Sequence, residues 1–249
     1  MSLLALAKAR GKPVLAVFNR HRRYFAILGV LEALNLGLYA GALHLGPLPA
    51  MVGLHLTSPI LMVIWATLTR QRAFTLALVV ELTLVIAAVT LIALGPGQHH
   101  STMSVVAGAG LALGSAVALA VLISRVAATA TSFDPDVAAA LQLTIAALLT
   151  LPLILTDPPT ETRLWRLGLA GALLLAPGFA FYWRALRHLG AQAAGILGLN
   201  EAVVASLLGV VVFESHFALV TLAAAALVLA AVAIELGADH IAGQRGTSH

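Results

Sequence analysis

The sequence predicts an all-α fold: a polytopic membrane helix bundle of about eight transmembrane helices. Three observations predict it. Of 249 residues, 61% are hydrophobic and only 10% are charged, against roughly 25% charged in a typical soluble domain. So few charges could not cover such a core in water. The apolar residues form runs of about 20 residues, the length that crosses a ~30 Å hydrocarbon core as a helix rising ~1.5 Å per residue. Finally, the basic residues sit at the ends of these runs and not in a patch interleaved with aromatics, so the net charge of +4 gives no reason to expect a nucleic-acid partner.

In chain order, segment 1–23 has Lys8, Arg10 and Lys12 inside its only apolar stretch. Nothing there is long enough to span, which predicts a cytoplasmic or interfacial segment. Spans are expected at 24–45, closed by Gly46-Pro47; at 47–68, closed by the basic residues Arg70 and Arg72; and at 73–94, before the polar connection Gly95 to Met103. A fourth is expected at 105–127. The fifth, 135–155, follows Asp134-Pro135, since Asp caps a helix and Pro suits its first turn. Spans at 165–186, 191–213 and 216–237 and a cytoplasmic tail at 238–249 complete the reading. Alternating the connections between sides puts twelve Lys and Arg residues on one side and leaves only Arg163 and Arg166 on the other. By the positive-inside rule both termini are cytoplasmic, and the chain is expected as a multi-pass protein of the cell membrane, inner or plasma.

The chain also repeats itself. Ala42-Leu43-His44-Leu45-Gly46, followed by Leu56-Thr57-Ser58-Pro59-Ile60, matches Ala185-Leu186-Arg187-His188-Leu189-Gly190, followed by Leu199-Asn200-Glu201-Ala202-Val203. Spans one to three then correspond to spans six to eight. An offset of five helices means that the copies cross in opposite directions, the inverted-repeat pattern of secondary transporters. The repeats are 24–94, incomplete, and 105–237, an arrangement of three plus five helices.

From Arg20 to Leu236 the chain resembles the drug/metabolite transporter superfamily, in the EamA-type branch that includes threonine/homoserine exporters. The resemblance rests on Asn35-Leu-Gly-Leu-Tyr39, Leu56-Thr57-Ser58-Pro59, Gly110-Leu-Ala-Leu-Gly-Ser115 and Gly195-Ile-Leu-Gly-Leu-Asn-Glu201, in that order. It implies a secondary transporter, an exporter of small metabolites such as amino acids or drugs, working by alternating access. The family pattern has ten helices, and its first two have no counterpart here; the expected remedies are a second copy or another subunit, or a start upstream of Met1. The family's Glu-Pro in the ninth helix is replaced by Glu201-Ala202.

Polar side chains inside the apolar runs are the candidate cavity residues, because an ionisable group in a span costs several kcal/mol and usually faces a bundle interior. They are Glu32, Asn35 and Tyr39 on one helix face, His55 and Thr57 before Pro59, then Glu81, Gln142, Asn200 and Glu201. At ~1.5 Å per residue, Glu32 and Glu81 lie roughly 12 Å deep and Glu201 roughly 15 Å. Proton coupling through one of them is the physical option for uphill movement, since no nucleotide motif is present. Interhelical hydrogen bonding explains Asn35, Tyr39, Thr57 and Gln142 as well as substrate contact does. Trp165, Tyr182 and Trp183 fit an interfacial belt as well as a pocket.

No enzyme signature, cofactor motif or metal site is read: there is no cysteine, and His99-His100 lacks a third ligand within metal-site spacing. Ser115 and His55 have the residue types of a serine peptidase, but nothing in the sequence places them together. The expected partners are the bilayer and a small-molecule substrate. A non-transporting membrane subunit or scaffold is the main alternative, with an intramembrane enzyme behind it.

Overall fold

The computed structural model describes residues 2–46, 48–69, 102–156 and 160–189, with isolated helical positions between 76 and 90 and between 223 and 234. All regular structure among them is helical. In chain order it comprises α1 (Ser2–Ala9), α2 (Val14–Leu45), α3 (Leu48–His55), α4 (Ser58–Leu68), α5 (Thr102–Thr129), α6 (Pro135–Thr156), α7 (Glu161–Ala170), a π segment (Gly171–Leu175) and α8 (Ala176–Ala185).

Each boundary has a local cause. Gly11 closes α1 with a φ of 67°, a left-handed conformation that costs glycine nothing and other residues more. Lys12 N–H then bonds back to Ala7 O at 3.0 Å. The long helix α2 starts at Val14, ten residues before the expected span, but it bends at His21 (φ −122°, ψ 27°). Its straight part therefore begins beside the expected boundary, and the basic run at 20–23 marks the bend instead of an end. The expected second span is broken in two at Leu56-Thr57. Pro59 accounts for the break, because its ring would clash with the carbonyl of His55, four residues earlier, in a continuous helix. Thr57 Oγ1 donates to Leu54 O at 2.7 Å and holds the turn. At the start of α6, Asp134 Oδ1 accepts the N–H groups of Asp136 at 3.0 Å and Val137 at 3.2 Å, the expected cap.

The chain forms two compact units: Met1–Gly37 with Val121–Ala191, and Leu38–Ala120 with Gln192–His249. In the first, α1 and α8 both pack on α6. Phe25, Leu28, Val126, Val137 and Trp183 are buried there, and His21, Tyr24 and Phe25 surround the Phe133 ring at centroid distances of 5.1 to 5.3 Å. In the second, Ala42, Met51 and Ala112 form a core with Leu54 and Val105 against it.

The surface is the reverse of a soluble protein's. Leu149, Trp165, Leu174 and Phe181 are exposed, while Glu32, Asn35, Ser115, Asp136 and Gln142 are buried. Among the described residues, three helices are long and apolar enough to cross a bilayer: Val14–Leu45, Met103–Thr129 and Pro135–Pro152. These features make the chain a multi-pass membrane protein. The expected spans at 73–94, 191–213 and 216–237 lie outside the described residues, apart from the isolated positions.

The close approach of α2 to α6 depends on one glycine. A Cβ at Gly29 would stand 2.3 Å from Ile145 Cγ2 and 2.5 Å from its Cβ, and a β-branched side chain in a helix has little freedom to move away. Gly29→Ala should therefore cost about 1–3 kcal/mol, and Ile145→Ala should recover part of that loss, a coupling that a double-mutant cycle measures. Equal melting of Gly29→Ala and wild type in detergent would show that the two helices are not locked there.

Candidate functional site

Within the first unit, three buried polar side chains from three helices form a hydrogen-bonded string. Trp183 Nε1 on α8 donates to Gln142 Oε1 on α6 at 3.0 Å. Gln142 Nε2 donates in turn to Glu32 Oε2 on α2 at 3.1 Å. An indole N–H only donates, and an ionised carboxylate only accepts, so the amide between them has one orientation that satisfies both. The string reaches the inside of an apolar bundle with exposures of 0%, 1% and 2% for Trp183, Gln142 and Glu32. Asn35, one turn along α2 from Glu32, is buried as well and makes contacts of its own. Beside Trp183, the hydroxyl of Tyr182 is buried with no hydrogen-bond partner among the described residues. A buried hydroxyl left unpaired costs about 1–3 kcal/mol, which marks a position that a ligand or water would complete.

The second unit has its own polar cluster. His55 ends α3, and its Nδ1 lies 2.9 Å from Ser115 Oγ on α5. The imidazole stacks on Tyr39 of α2 at 4.2 Å between centroids and 24° between planes. Thr57 is committed to the local turn through Leu54 O. The structure thus joins His55 to Ser115, two residue types that no sequence pattern places together. Ser115 is fully buried, so the contact is a tie between helices and not an exposed nucleophile with its base.

At the N-terminal end of the first unit, ionic contacts hold α1 to the bundle. Asp136 accepts from Arg10 at 3.2 Å, from Lys12 at 2.7 Å and from Arg184. Lys12 also reaches Asp134 Oδ1 at 2.8 Å. Hydrogen bonds to Asp134 and then to Asp136 raise the Lys12 pKa above 10.5 against the opposing effect of burial. Burial pushes the Asp134 carboxyl up, but the Lys12 hydrogen bond and the N–H of Val137 outweigh it and hold it below 3.8. A depressed acid stabilises the fold above its unfolded value and loses that contribution as pH falls through the folded one; a raised base stabilises below its unfolded value and loses it as pH rises. The Lys12–Asp134 pair should therefore contribute fully from above pH 3.8 to below pH 10.5. Trypsin cleavage at Lys8 and Arg10 after brief pH exposure checks this; release of α1 at neutral pH would contradict it.

Of the residues expected to line a cavity, Glu32 and Gln142 are in direct contact, as are Tyr39 and His55. Glu81, Asn200 and Glu201 lie outside the described residues. Trp183, Tyr182 and Ser115 were named from sequence without being placed among the cavity residues, and Asp136 was not singled out. Asp136 stood next to the Asp134-Pro135 helix start and Ser115 ended a small-residue motif, so both had a visible signal; for Trp183 the belt and pocket readings were equally open.

The sequence profile of the EamA-like transporter family matches residues 106–236, just over half of the chain. No curated protein matches. One solved crystal structure superposes with a TM-score of 0.73 at 22% identity, covering 94% of this chain and 82% of its own. At that identity the likeness concerns the fold alone.

Proposed function

The chain belongs to the EamA-like transporter family, within the drug/metabolite transporter superfamily, and from that premise we propose that it is a secondary transporter exporting small metabolites such as amino acids or drugs by alternating access. The observation that carries the reading is the string Glu32–Gln142–Trp183, buried in a bundle whose outer surface is apolar. A carboxylate kept inside a membrane protein at the cost of desolvation is the expected signature of an ion or substrate path. The unpaired Tyr182 hydroxyl supplies a second polar group that a small polar substrate would satisfy. In this reading Glu32, with Glu81 and Glu201, carries protons or meets a cationic group of the substrate, while Asn35, Tyr39, His55, Thr57, Gln142 and Asn200 line the route.

The same reading takes eight spans with both termini cytoplasmic and an inverted repeat relating spans one to three to spans six to eight. Both copies of the repeated motif end a helix, which supports it: Gly46 N–H bonds Ala42 O at 3.1 Å after α2, and Leu189 N–H bonds Ala185 O at 3.1 Å after α8. Accessibility of single cysteines placed in the Gly95 to Met103 connection and in the tail tests the topology. Labelling of both from the same side would overturn it.

Transport itself is tested in proteoliposomes with amino acids and cationic drugs under an imposed pH gradient. Wild type should give gradient-dependent flux. Glu32→Gln and Glu201→Gln should insert normally and lose at least about tenfold in flux, as expected when an interaction worth ~1.4 kcal/mol or more is made only in the transition state. Absence of flux for every compound tested would overturn the transporter reading, and unchanged flux in both variants would remove the two carboxylates from it.

A further inference from the structure

A second site in the first unit lies apart from the buried string. A cavity of ≈ 190 Å³ opens between α1 and α8, with Leu6 on one wall and Ala176 and Phe181 on the other, and Arg10, Arg184 and Asp136 at its polar corner. We propose that it seats the phosphate of one acidic phospholipid between Arg10 and Arg184, with an acyl chain leaving past Ala176 along Phe181 and the exposed apolar surface.

The corner is assembled by Asp136. Its Oδ2 takes Arg10 at 3.2 Å and Lys12 at 2.7 Å, and its Oδ1 takes Arg184, so one carboxylate holds two guanidiniums side by side. Each guanidinium has five N–H donors, of which Asp136 uses one. The side chains are 54% exposed for Arg10 and 43% for Arg184, against 4% for Asp136. Donors thus remain for an incoming acceptor, whereas the carboxylate is enclosed. The local balance is positive as well: Arg10, Lys12 and Arg184 all meet Asp136, and Lys12 is shared with Asp134. Arg187 adds a positive charge beside this end of the unit, bonded to the main-chain carbonyls of Ala130 and Phe133.

The apolar walls select an amphiphile over a free anion. Phe181 is 66% exposed and lies under the Arg184 guanidinium at 5.5 Å, so its ring continues from the basic corner to the outer surface. Leu173, Leu174 and Leu175 extend that surface along the same stretch of chain. A basic corner beside exposed hydrocarbon-facing residues matches the phosphate and acyl chain of an anionic lipid, and clustered basic residues at a membrane surface attract such lipids.

Native mass spectrometry of the full chain in detergent, with phosphatidylglycerol and phosphatidylcholine in competition, tests the proposal. Wild type should retain phosphatidylglycerol preferentially, and Arg10→Gln and Arg184→Gln should each lower that retention about fivefold. Ala176→Leu, which narrows the cavity without changing charge, should lower it too. Arg166→Gln, an exposed cation elsewhere in the unit, should leave it unchanged. Melting temperatures identify any variant that is unfolded, and the remaining variants then decide. Equal retention of the two lipids, equal loss in Arg166→Gln, or displacement of phosphatidylglycerol by inorganic phosphate would overturn the proposal, the last in favour of a free-anion site.

Discussion

Asp136→Asn should destabilise the protein by about 3 kcal/mol and release α1, the largest effect expected of a single substitution at the polar end of the first unit. Removing one partner of a buried ion pair costs about 3–5 kcal/mol because the charge left behind is uncompensated. The lower end applies here, since the three cations are 54%, 24% and 43% exposed and water can take over part of their solvation. What cannot be replaced is their arrangement: without the carboxylate, Arg10, Lys12 and Arg184 repel one another across the contact between α1 and α8. Trypsin should then cut at Lys8 and Arg10 far faster than in wild type, with the melting temperature falling in parallel. Equal protection in the variant would mean that the packing of Leu3 and Ala7, both buried, is enough to hold α1.

Gln142→Leu should be comparably damaging, for a different reason. The amide is the only link between Trp183 and Glu32 in the string, and its removal leaves an indole N–H and a carboxylate without their mutual partner in an apolar interior. Each such orphan costs about 1–3 kcal/mol, so a loss of about 2–6 kcal/mol is expected. The test that separates stability from transport is the apolar triple variant Glu32→Leu, Gln142→Leu, Trp183→Phe. Removing every partner should recover much of the stability while leaving flux abolished, because polar groups replaced together leave nothing unsatisfied. A triple variant that transports would show the string to be scaffolding only; one no more stable than Gln142→Leu would show that shape, not hydrogen bonding, sets the cost.

The helices at 105–127 and 135–155 were legible in the sequence to within a few residues, because an apolar run with a capping Asp and a first-turn Pro allows few other structures in a bilayer. The break at Leu56-Thr57 was less so: Pro59 was visible, but hydropathy does not distinguish a continuous apolar helix from two short ones. The site was legible as residue types and not as pairs. Glu32 and Gln142 stood out because polarity within a span is costly, yet their contact joins helices more than a hundred residues apart in sequence, and no local pattern encodes that. His55 and Ser115 show the same limit. Asp136 was overlooked because an acid in the first turn of a helix already has an adequate local explanation.

The π segment Gly171–Leu175 acts as a phase shift between the two ends of one apolar run. Trp183 follows Trp165 by 18 residues, about five turns, so on an uninterrupted α-helix the two indoles would point the same way. Instead Trp165 is 75% exposed and Trp183 is 0% exposed. A π bulge accommodates one additional residue in a helix, and one residue is worth about 100° of rotation, enough to turn one indole toward lipid while the other stays inside. Straightening this stretch into regular α-helix with every residue kept would therefore bring both rings onto one azimuth, and either Trp183 would leave Gln142 or Trp165 would be driven into the protein, whereas losing one residue would remove the bulge and keep the two indoles about 100° apart.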